Sequence, residues 1–586
     1  MDGPTSVPDT GGDRSTTTLD AGIRARLDRE LRELREHAEE WARLPVAAKL
    51  QMVWESRACL GREADRWVDA SVAGKGIDPT SPWVGEEWAS GPWALAAGLD
   101  GYLETLEALA SGELPEFTGL RSGPGGQLIV PVFPRTGFDR LLMSGITAEV
   151  WMQEGVTADN LREHMASFYR RHEPDGRLAL VLGAGNVNSI APMDALDRLL
   201  AHGEVVFVKM NPVNDYLTDI LADVFEPFVA GGFLRIVSGG AEVGAYLTRH
   251  PEVDHIHITG SARTHDVIVF GPGEEGRERR RRGEPLLGTP ITSELGGVGP
   301  VIVVPGPWSD ADVAFHAENV VTMKLHNSGA NCVAAQVLVL PAAWDRRDAF
   351  LDEVRRVMGS LPPRHAYYPG SAERQRRLTE DHPQAERFAG DVPRTLISGL
   401  DPAEDDPCFT LEAFAPVLAE TRLPGSDPAS FLANAVEFCN ERLDGTLGAT
   451  ILVHPATARD LGDRLERAVA DLRYGSIGVN VWNAVAFLLA QASWGAYPGH
   501  TLADIGSGIG VVHNTFLFDR PEKSVVRGSF RPFPRSWLHG DPALLPKPPW
   551  FVTNRTADAT LRLLTRFAVA PGWQHIPGIF ASALRG

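Results

Sequence analysis

Short apolar runs alternate with helical patterns through the middle of the chain. Between residues 177 and 261, four apolar runs bounded by turn residues are separated by stretches with helical apolar spacing. This alternation is typical of a parallel, doubly wound sheet that is covered by helices on both faces. We therefore predict strands at 177–185, 204–210, 234–239 and 255–261, with helices at 190–202, 214–230 and 241–250.

The same alternation restarts near residue 294. The runs PVIVVPG (300–306) and AAQVLVLP (334–341) flank a helical stretch in the 310s and early 320s. A second series of this kind predicts a second α/β domain. Before both series, residues 19–111 have helical apolar spacing, and residues 118–178 predict strands and hairpins with a helix near 158–171.

The length of the chain sets the domain count. Its 586 residues are too many for one hydrophobic core. The predicted fold class is α/β with two doubly wound, Rossmann-like domains. We expect a disordered tail at 1–18, N-terminal helices with the first α/β domain at 19–293, the second domain at 294–500, and a C-terminal return and extension at 501–586.

Composition narrows the class of protein. A formal charge of −20 argues against nucleic acid or an anionic membrane as the main partner. The four cysteines form no CxxC pair and no disulfide framework, which fits a reducing compartment. No 18 consecutive residues are apolar, and the first residues lack the apolar core of a secretory signal. We expect a cytoplasmic protein with no membrane span.

Two glycine turns in the first series could approach a phosphate. GAGN (183–186) and ITGS (258–261) each follow a predicted strand and precede a helix, where backbone N–H groups can face an anion. One such turn is common in strand–helix connections, whereas two in one sheet leave a nucleotide site and ordinary strand–helix turns as equal alternatives. His255 and His257 lack a third ligand at metal spacing, so no metal site is predicted.

Three reactive side chains allow two interpretations each. Cys332 ends the polar stretch LHNSGANC, which is poor core material, yet free cysteine often packs as a small apolar side chain. Glu294, before two glycines in SELGG, fits a general base or a turn residue. Glu412, in LEAFAP, fits a ligand contact or a surface acid. The arginine-rich run 271–285 is interpreted as a solvated loop.

Taken in order, these segments resemble the aldehyde dehydrogenase superfamily over roughly residues 40–530. The segment from SELGG through LHNSGANC to AAQVLVLP (293–341) carries the strongest resemblance, and the further motifs are GAGNVNS…VFVKMNP (183–212), ITGS (258–261), LEAFAPV (411–417) and GSIGVNVWNA (475–484). The resemblance implies an aldehyde-dehydrogenase-like fold with a protruding oligomerisation strand segment. Residues 126–156 look like that segment, so a homodimer or homotetramer is expected.

The resemblance also implies roles for the reacting residues. Cys332 would attack the aldehyde carbon of a small-molecule substrate. Asn186 would donate its side-chain amide to the developing oxyanion. Glu294 would activate the water that hydrolyses the thioester.

The implied cofactor is NAD or NADP. Lys209 would bind the adenosine ribose, and Gly260 and Ser261 would face the pyrophosphate. Glu412 would hold the nicotinamide ribose, with Phe414 beside it in the same motif.

One departure from the family pattern leaves alternatives open. The segment after Lys209 reads Met210-Asn211-Pro212, without the acid that usually binds the ribose, so the choice between NAD and NADP is open. A CoA-acylating aldehyde dehydrogenase, or an acyl-CoA reductase, is the first alternative. A non-catalytic member of the fold that acts in binding or assembly is the second.

Overall fold

The computed structural model describes residues 19–586, so the predicted tail at 1–18 lies outside the described residues. In chain order, the strands β1 to β19 of the described part are Arg121–Ser122, Leu128–Phe133, Thr147–Met152, Leu178–Leu182, Val205–Lys209, Leu234–Val237, His255–Gly260, Ile291–Leu295, Gly299–Val303, Ala335–Pro341, Glu386–Arg387, Thr395–Leu400, Val417–Leu423, Gly448–Leu452, Ser476–Val479, Trp494–Gly495, Gly508–Ile509, Val511–Val512 and Pro521–Arg527.

The helices surround these strands. In chain order, the helices α1 to α22 of residues 19–586 are Ala21–Glu36, Ala38–Arg43, Val46–Gly74, Val84–Trp88, Ala94–Ala110, Gly137–Leu142, Ile190–Leu196, Thr218–Val224, Glu226–Ala230, Ala241–Leu247, Ala262–Phe270, Gly273–Arg282, Asp310–Leu325, Arg347–Ser360, Ser371–Thr379, Pro407–Thr410, Pro428–Arg442, Pro455–Leu461, Asp463–Asp471, Val485–Leu489, Ala557–Val569 and Ile576–Ala583.

The first sheet has six strands in the order β17-β8-β7-β4-β5-β6. Strands β8 to β6 in this order are parallel, and β17 adds an antiparallel edge. The four strands predicted between 177 and 261 are confirmed, which follows from their apolar residues being buried on both faces. The carboxyl ends of the parallel strands β5, β7 and β8 bring Lys209, Gly260 and Glu294 to the same side of the sheet.

The second sheet has eleven strands in the order β1-β2-β3-β19-β15-β14-β9-β10-β13-β12-β11. Its central pairs, from β15 to β12, are parallel. The two predicted strands on either side of α13 are adjacent here as β9 and β10. The predicted fold class, α/β with doubly wound parallel sheets, is confirmed. Where the two predicted domains meet stays a prediction.

The segment 126–156 is built into the second sheet. β2 and β3 form an antiparallel pair, and β3 pairs antiparallel with β19. β19 continues parallel to β15, so the segment extends a sheet of its own chain. Its role in forming a dimer or tetramer stays a prediction.

The arginine-rich run is a helix, which corrects the loop interpretation of 271–285. α12 begins with Glu274 and Glu275 in its first turn and carries arginines in its last turn, a distribution that complements the helix dipole. The Glu275 and Arg279 side chains pair one turn apart, at 2.5 Å. Gly283 ends the helix in the left-handed conformation, with φ of 66°.

Two predicted helices are shorter than expected. Residues 158–171 contain only two 3₁₀ turns, Leu161–His164 and Ser167–Arg170. The helix predicted at 214–230 is divided into α8 and α9, because Pro227 lacks the N–H that would continue the hydrogen-bond ladder. In residues 19–586, no helix is both long enough and apolar enough to cross a membrane.

Candidate functional site

The turn that presents Cys332 is held in an unusual backbone conformation. Three consecutive residues after α13, Asn327, Ser328 and Gly329, have positive φ values of 55°, 56° and 77°. A side chain at Gly329 would collide with the Ala415 carbonyl oxygen, 2.7 Å from the Cβ position. Because non-glycine residues rarely adopt positive φ, partners outside the turn must hold it in place.

Those partners come from the N-terminal helices. The buried Lys75 ammonium donates to Glu87 Oε1 at 2.9 Å, to the Asn186 carbonyl at 3.1 Å and to Asn327 Oδ1 at 3.1 Å. The Asn327 N–H donates to Glu86 Oε2 at 2.9 Å. Lys75 therefore uses all three of its donors to join the GAGN turn to the turn before Cys332. The sequence analysis missed this lysine, since nothing in its helical segment signals it.

We expect Lys75→Met to destabilise the folded chain by about 3–5 kcal/mol, because the substitution leaves the buried Glu87 carboxylate without its counter-ion. Denaturant unfolding measures this change. Arg29→Met is the matched control, since the Arg29–Glu33 pair is exposed and separated by 3.9 Å, and we expect it to cost less than about 1 kcal/mol. Equal losses in the two variants would contradict the assigned role.

The Cys332 thiol and the Glu294 carboxyl lie close enough for each to shift the pKa of the other. Burial raises the pKa of the Cys332 thiol well above its ordinary value, and the nearby Glu294 and Glu412 carboxyls and hydrogen bonding to Glu294 raise this pKa further. Glu294 is 3% exposed, and its Oε1 atom has no hydrogen-bond partner. An acid is thus placed beside the sulfur with one oxygen free to accept a proton.

The pKa of Glu294 is raised to about 8. Burial is the main cause, followed by the Asp194 carboxylate, while hydrogen bonding from the Trp494 indole opposes the rise. Asp194 is itself ionised, because His257 and His513 hold its pKa at about 2 despite burial. The sequence predicts no metal role for His257, and no motif in it singles out Asp194, which lies within α7.

Asn186 lies at the predicted GAGN turn and faces the loop of Cys332. Its side-chain amide nitrogen donates to the Ala330 carbonyl at 3.0 Å. A primary amide has two N–H donors, so one remains for a ligand oxygen. The Tyr367 hydroxyl and the Lys75 ammonium both donate to the Asn186 carbonyl and fix the residue in place.

The residues expected to bind the adenosine and pyrophosphate groups lie at the carboxyl edge of the first sheet. Burial lowers the pKa of Lys209, while the carboxylates of Glu242 and Asp215 oppose this shift. These two acids lie near Lys209, whereas the segment directly after Lys209, Met210-Asn211-Pro212, contains no acid. Gly260 ends β7, and the Ser261 hydroxyl accepts the Thr264 N–H at 3.2 Å and thereby caps α11.

Glu412 lies near Cys332, in a loop held by Gln336. The Gln336 side chain donates to the Leu411 carbonyl at 2.6 Å and accepts the Ala413 N–H at 2.7 Å. Burial raises the pKa of Glu412 to about 7, while Arg374 and the buried Lys324 oppose the rise. Glu412 Oε1 has no hydrogen-bond partner.

Gly296, the first glycine of SELGG, leaves space for the Glu412 carboxylate. A Cβ atom at Gly296 would overlap Glu412 Oε1 at 1.8 Å, so the ELGG and LEAFAP motifs meet here. Phe414 has a positive φ of 40°, and its ring packs against Tyr368 at 4.7 Å between centroids. The structure therefore places Glu412 near Glu294 and Cys332.

A cavity of about 60 Å³ lies beside Cys332, which forms part of its lining. Its aromatic wall consists of Trp482, Phe487, Trp494 and Trp550. The site thus combines a nucleophile, a carboxyl near it, an amide donor and an adjoining cavity. This arrangement suits attack of the thiol on an electrophilic carbon, with an acid–base group close to the sulfur.

Two clusters in the described residues place potential metal ligands together: Asp312, His454 and His539, and His382, Asp406 and Cys408. In the first, Asp312 already accepts a hydrogen bond from Arg531 at 2.7 Å. In the second, the His382 ring nitrogens face the Leu378 carbonyl and Asp406, both at 2.8 Å. Neither cluster includes a residue of the site, and we assign no metal to them.

Comparison with known proteins relates part of the chain to a family. Residues 146–370 match the model of the aldehyde dehydrogenase family. This part of the chain is therefore similar to aldehyde dehydrogenases in sequence. The matched region contains Cys332, Glu294 and Asn186, so the three aldehyde dehydrogenase motifs around the sulfur lie inside it, whereas Glu412 and Phe414 lie beyond it.

One curated relative is the coniferyl aldehyde dehydrogenase of Pseudomonas sp. (strain HR199 / DSM 7063). It is 26% identical over 295 residues, which are 44% of this chain and 57% of the relative. The chain therefore matches a little over half the length of that aldehyde dehydrogenase.

Solved structures show the same fold. The NAD-dependent aldehyde dehydrogenase from Sinorhizobium meliloti has a TM-score of 0.57 and 16% identity, with 86% of each chain covered. The NADP-dependent glyceraldehyde-3-phosphate dehydrogenase from Bacillus halodurans C-125, complexed with NADP, has a TM-score of 0.56 and 18% identity, with 86% of this chain and 91% of the other covered. At these identities the likeness establishes the aldehyde dehydrogenase fold alone.

Proposed function

We propose that the protein oxidises an aldehyde to a carboxylic acid with NAD or NADP. The observation that carries the proposal is the proximity of the Cys332 thiol and the Glu294 carboxyl, with a cavity that Cys332 lines. The match of residues 146–370 to the aldehyde dehydrogenase family model supports it, as does the likeness in fold to an NAD-dependent and an NADP-dependent dehydrogenase.

The residues at the sheet edge fit a dinucleotide. Glu412 has an oxygen without a hydrogen-bond partner, which suits acceptance from ribose hydroxyls. Lys209 and the N-terminus of α11 after Gly260 and Ser261 suit the ribose and pyrophosphate groups. When bound, NAD or NADP supplies the hydride acceptor.

Cys332, Asn186 and Glu294 each have a separate role in the proposed reaction. The Cys332 thiol releases its proton to solvent and its sulfur adds to the aldehyde carbon, which gives a tetrahedral thiohemiacetal anion from which hydride can leave. The free N–H of Asn186 stabilises the developing oxyanion by about 3 kcal/mol. Departure of the hydride leaves a thioester on Cys332. Glu294 takes a proton from water, which attacks the thioester and releases the carboxylic acid.

The direct test is oxidation of an aldehyde panel by the purified full-length protein, followed through the absorbance of the reduced cofactor. NAD and NADP are tried separately, each with and without CoA. We expect reduction of at least one of the two cofactors without CoA, since Glu294 supplies a base for hydrolysis. A strict requirement for CoA would favour the acylating alternative.

Absence of turnover with every aldehyde would contradict the proposal. In that case, calorimetric titration with NAD and NADP and thiol labelling of Cys332 are decisive. An unreactive thiol and no cofactor binding would favour the non-catalytic alternative.

A further inference from the structure

The C-terminal extension (residues 537–586) is bound by hydrogen bonds and an ion pair to parts of the same chain that lie near the site. The Trp83 indole donates to the Val552 carbonyl at 2.9 Å, and the Val552 N–H donates to the Thr322 hydroxyl at 3.2 Å. Lys547 pairs with Glu318 at 2.7 Å. Thr322 and Glu318 both belong to α13, the helix that leads into the turn of Cys332.

A second attachment lies at α21. The Trp88 indole donates to Asp558 at 3.0 Å, and a Cβ atom at Gly85 would lie 2.6 Å from the Ala557 backbone. The next two residues of the chain after α4, Ala89 and Ser90, line the cavity. The extension is thus packed against the segment that forms one wall of the cavity.

Trp550 of the extension lines the same cavity as Cys332. It is 4% exposed and stands with Trp482 and Trp494 around the space in front of the sulfur. The Trp482 indole N–H is already used by the Val333 carbonyl at 3.0 Å.

Among residues 19–586, no Asp, Glu, Lys or Arg side chain lines the cavity. Two of its polar side chains already make hydrogen bonds, since the Ser90 hydroxyl donates to the Glu86 carbonyl at 2.6 Å and one N–H of the Asn331 amide donates to the His326 carbonyl at 2.9 Å. The His326 ring is 94% buried, and its Nδ1 atom has no hydrogen-bond partner. Burial lowers the pKa of His326, so the ring is neutral.

A cavity of this kind discriminates among aldehydes by charge and shape. A carboxylate or phosphate on the substrate would lose its water without gaining a counter-ion. An apolar body gains from leaving water, and an aromatic ring also finds tryptophan and phenylalanine rings to pack against. The neutral His326 ring offers a hydrogen bond to one polar group on that body.

We propose, on the basis of the proposed aldehyde oxidation, that the substrate is an uncharged aldehyde with an aromatic body, and that Trp550 of the extension is a specificity-determining residue. The extension completes the cavity from within the same chain, so the substrate class depends on a segment outside both parallel sheets. His326 binds a hydroxyl or ether oxygen of the substrate.

The test compares kcat/KM for cinnamaldehyde, acetaldehyde and succinic semialdehyde. We expect the wild type to favour cinnamaldehyde over both others by about a hundredfold, and Trp550→Ala to lower kcat/KM for cinnamaldehyde by about tenfold or more through KM, with little change for acetaldehyde. Trp537→Ala is the matched control, because Trp537 is 58% exposed in the same extension. Trp550→Phe keeps a bulky apolar ring, so its kcat/KM for cinnamaldehyde should lie between those of the wild type and of Trp550→Ala.

A preference for succinic semialdehyde, or an equal loss for all three aldehydes in both Trp550 variants, would overturn the inference while leaving the proposed oxidation intact. If no aldehyde is oxidised, calorimetry with the uncharged analogue cinnamamide decides the inference by itself. Binding to the wild type and to Trp537→Ala, with about tenfold weaker binding to Trp550→Phe or Trp550→Ala, would support it. Absence of binding to the wild type would overturn it.

Discussion

Cys332→Ala should lower aldehyde oxidation by about 10⁴-fold or more, because removal of a covalent nucleophile leaves only the binding and oxyanion contributions to catalysis. Steady-state reduction of NAD or NADP measures the loss. The variant should also show no rapid first turnover, since no thiohemiacetal can form. Its fold should be retained, because alanine at this position removes one sulfur beside a cavity that already exists.

A matched control separates the nucleophile from the other thiols. Cys59 is a buried free cysteine in α3 and lies outside the site, so Cys59→Ala should keep the wild-type rate. If Cys332→Ala retained activity, or if both alanine variants lost it equally, Cys332 would not be the reacting group.

Glu294→Gln should separate the two halves of the reaction. Hydride transfer precedes hydrolysis, so the variant should reduce about one cofactor per site in a rapid burst and then turn over about 10²–10⁴-fold more slowly. Rapid-mixing absorbance resolves the two phases. Glu437→Gln is the control, since Glu437 is exposed on α17 and should change neither phase. Loss of the burst itself would contradict a role confined to hydrolysis.

The pH dependence of hydrolysis follows from the raised pKa of Glu294. Only the ionised carboxylate can take a proton from water, so the hydrolysis rate of the wild type should rise with pH and level off above about 8. Asp194→Asn removes a negative charge that raises the pKa of Glu294, so the midpoint should move to lower pH. A flat wild-type profile between pH 6 and about 9 would contradict the base assignment.

The parallel strands and the order of the motifs were accessible from the sequence because they depend on local patterns. Apolar runs at 178–182 and 205–209 identify strands buried on both faces. The glycine turn before Asn186 could be predicted because it lies between a predicted strand and a predicted helix. The arginine-rich helix was missed, since a solvated loop and a charge-paired surface helix have the same composition. The local order of Glu275 and Arg279 is the signal that could have identified it.

By itself, the sequence determined the α/β class, the candidate nucleophile Cys332 and its candidate partners Glu294 and Asn186. Only the tertiary structure decided which distant groups surround them. Lys75 donates a hydrogen bond to Asn327, which lies 252 residues later in the chain. Trp83 donates to Val552, which lies 469 residues later in the extension that carries Trp550. Such contacts leave no local pattern, because their energy comes from burial and pairing between segments that meet only when the chain has folded.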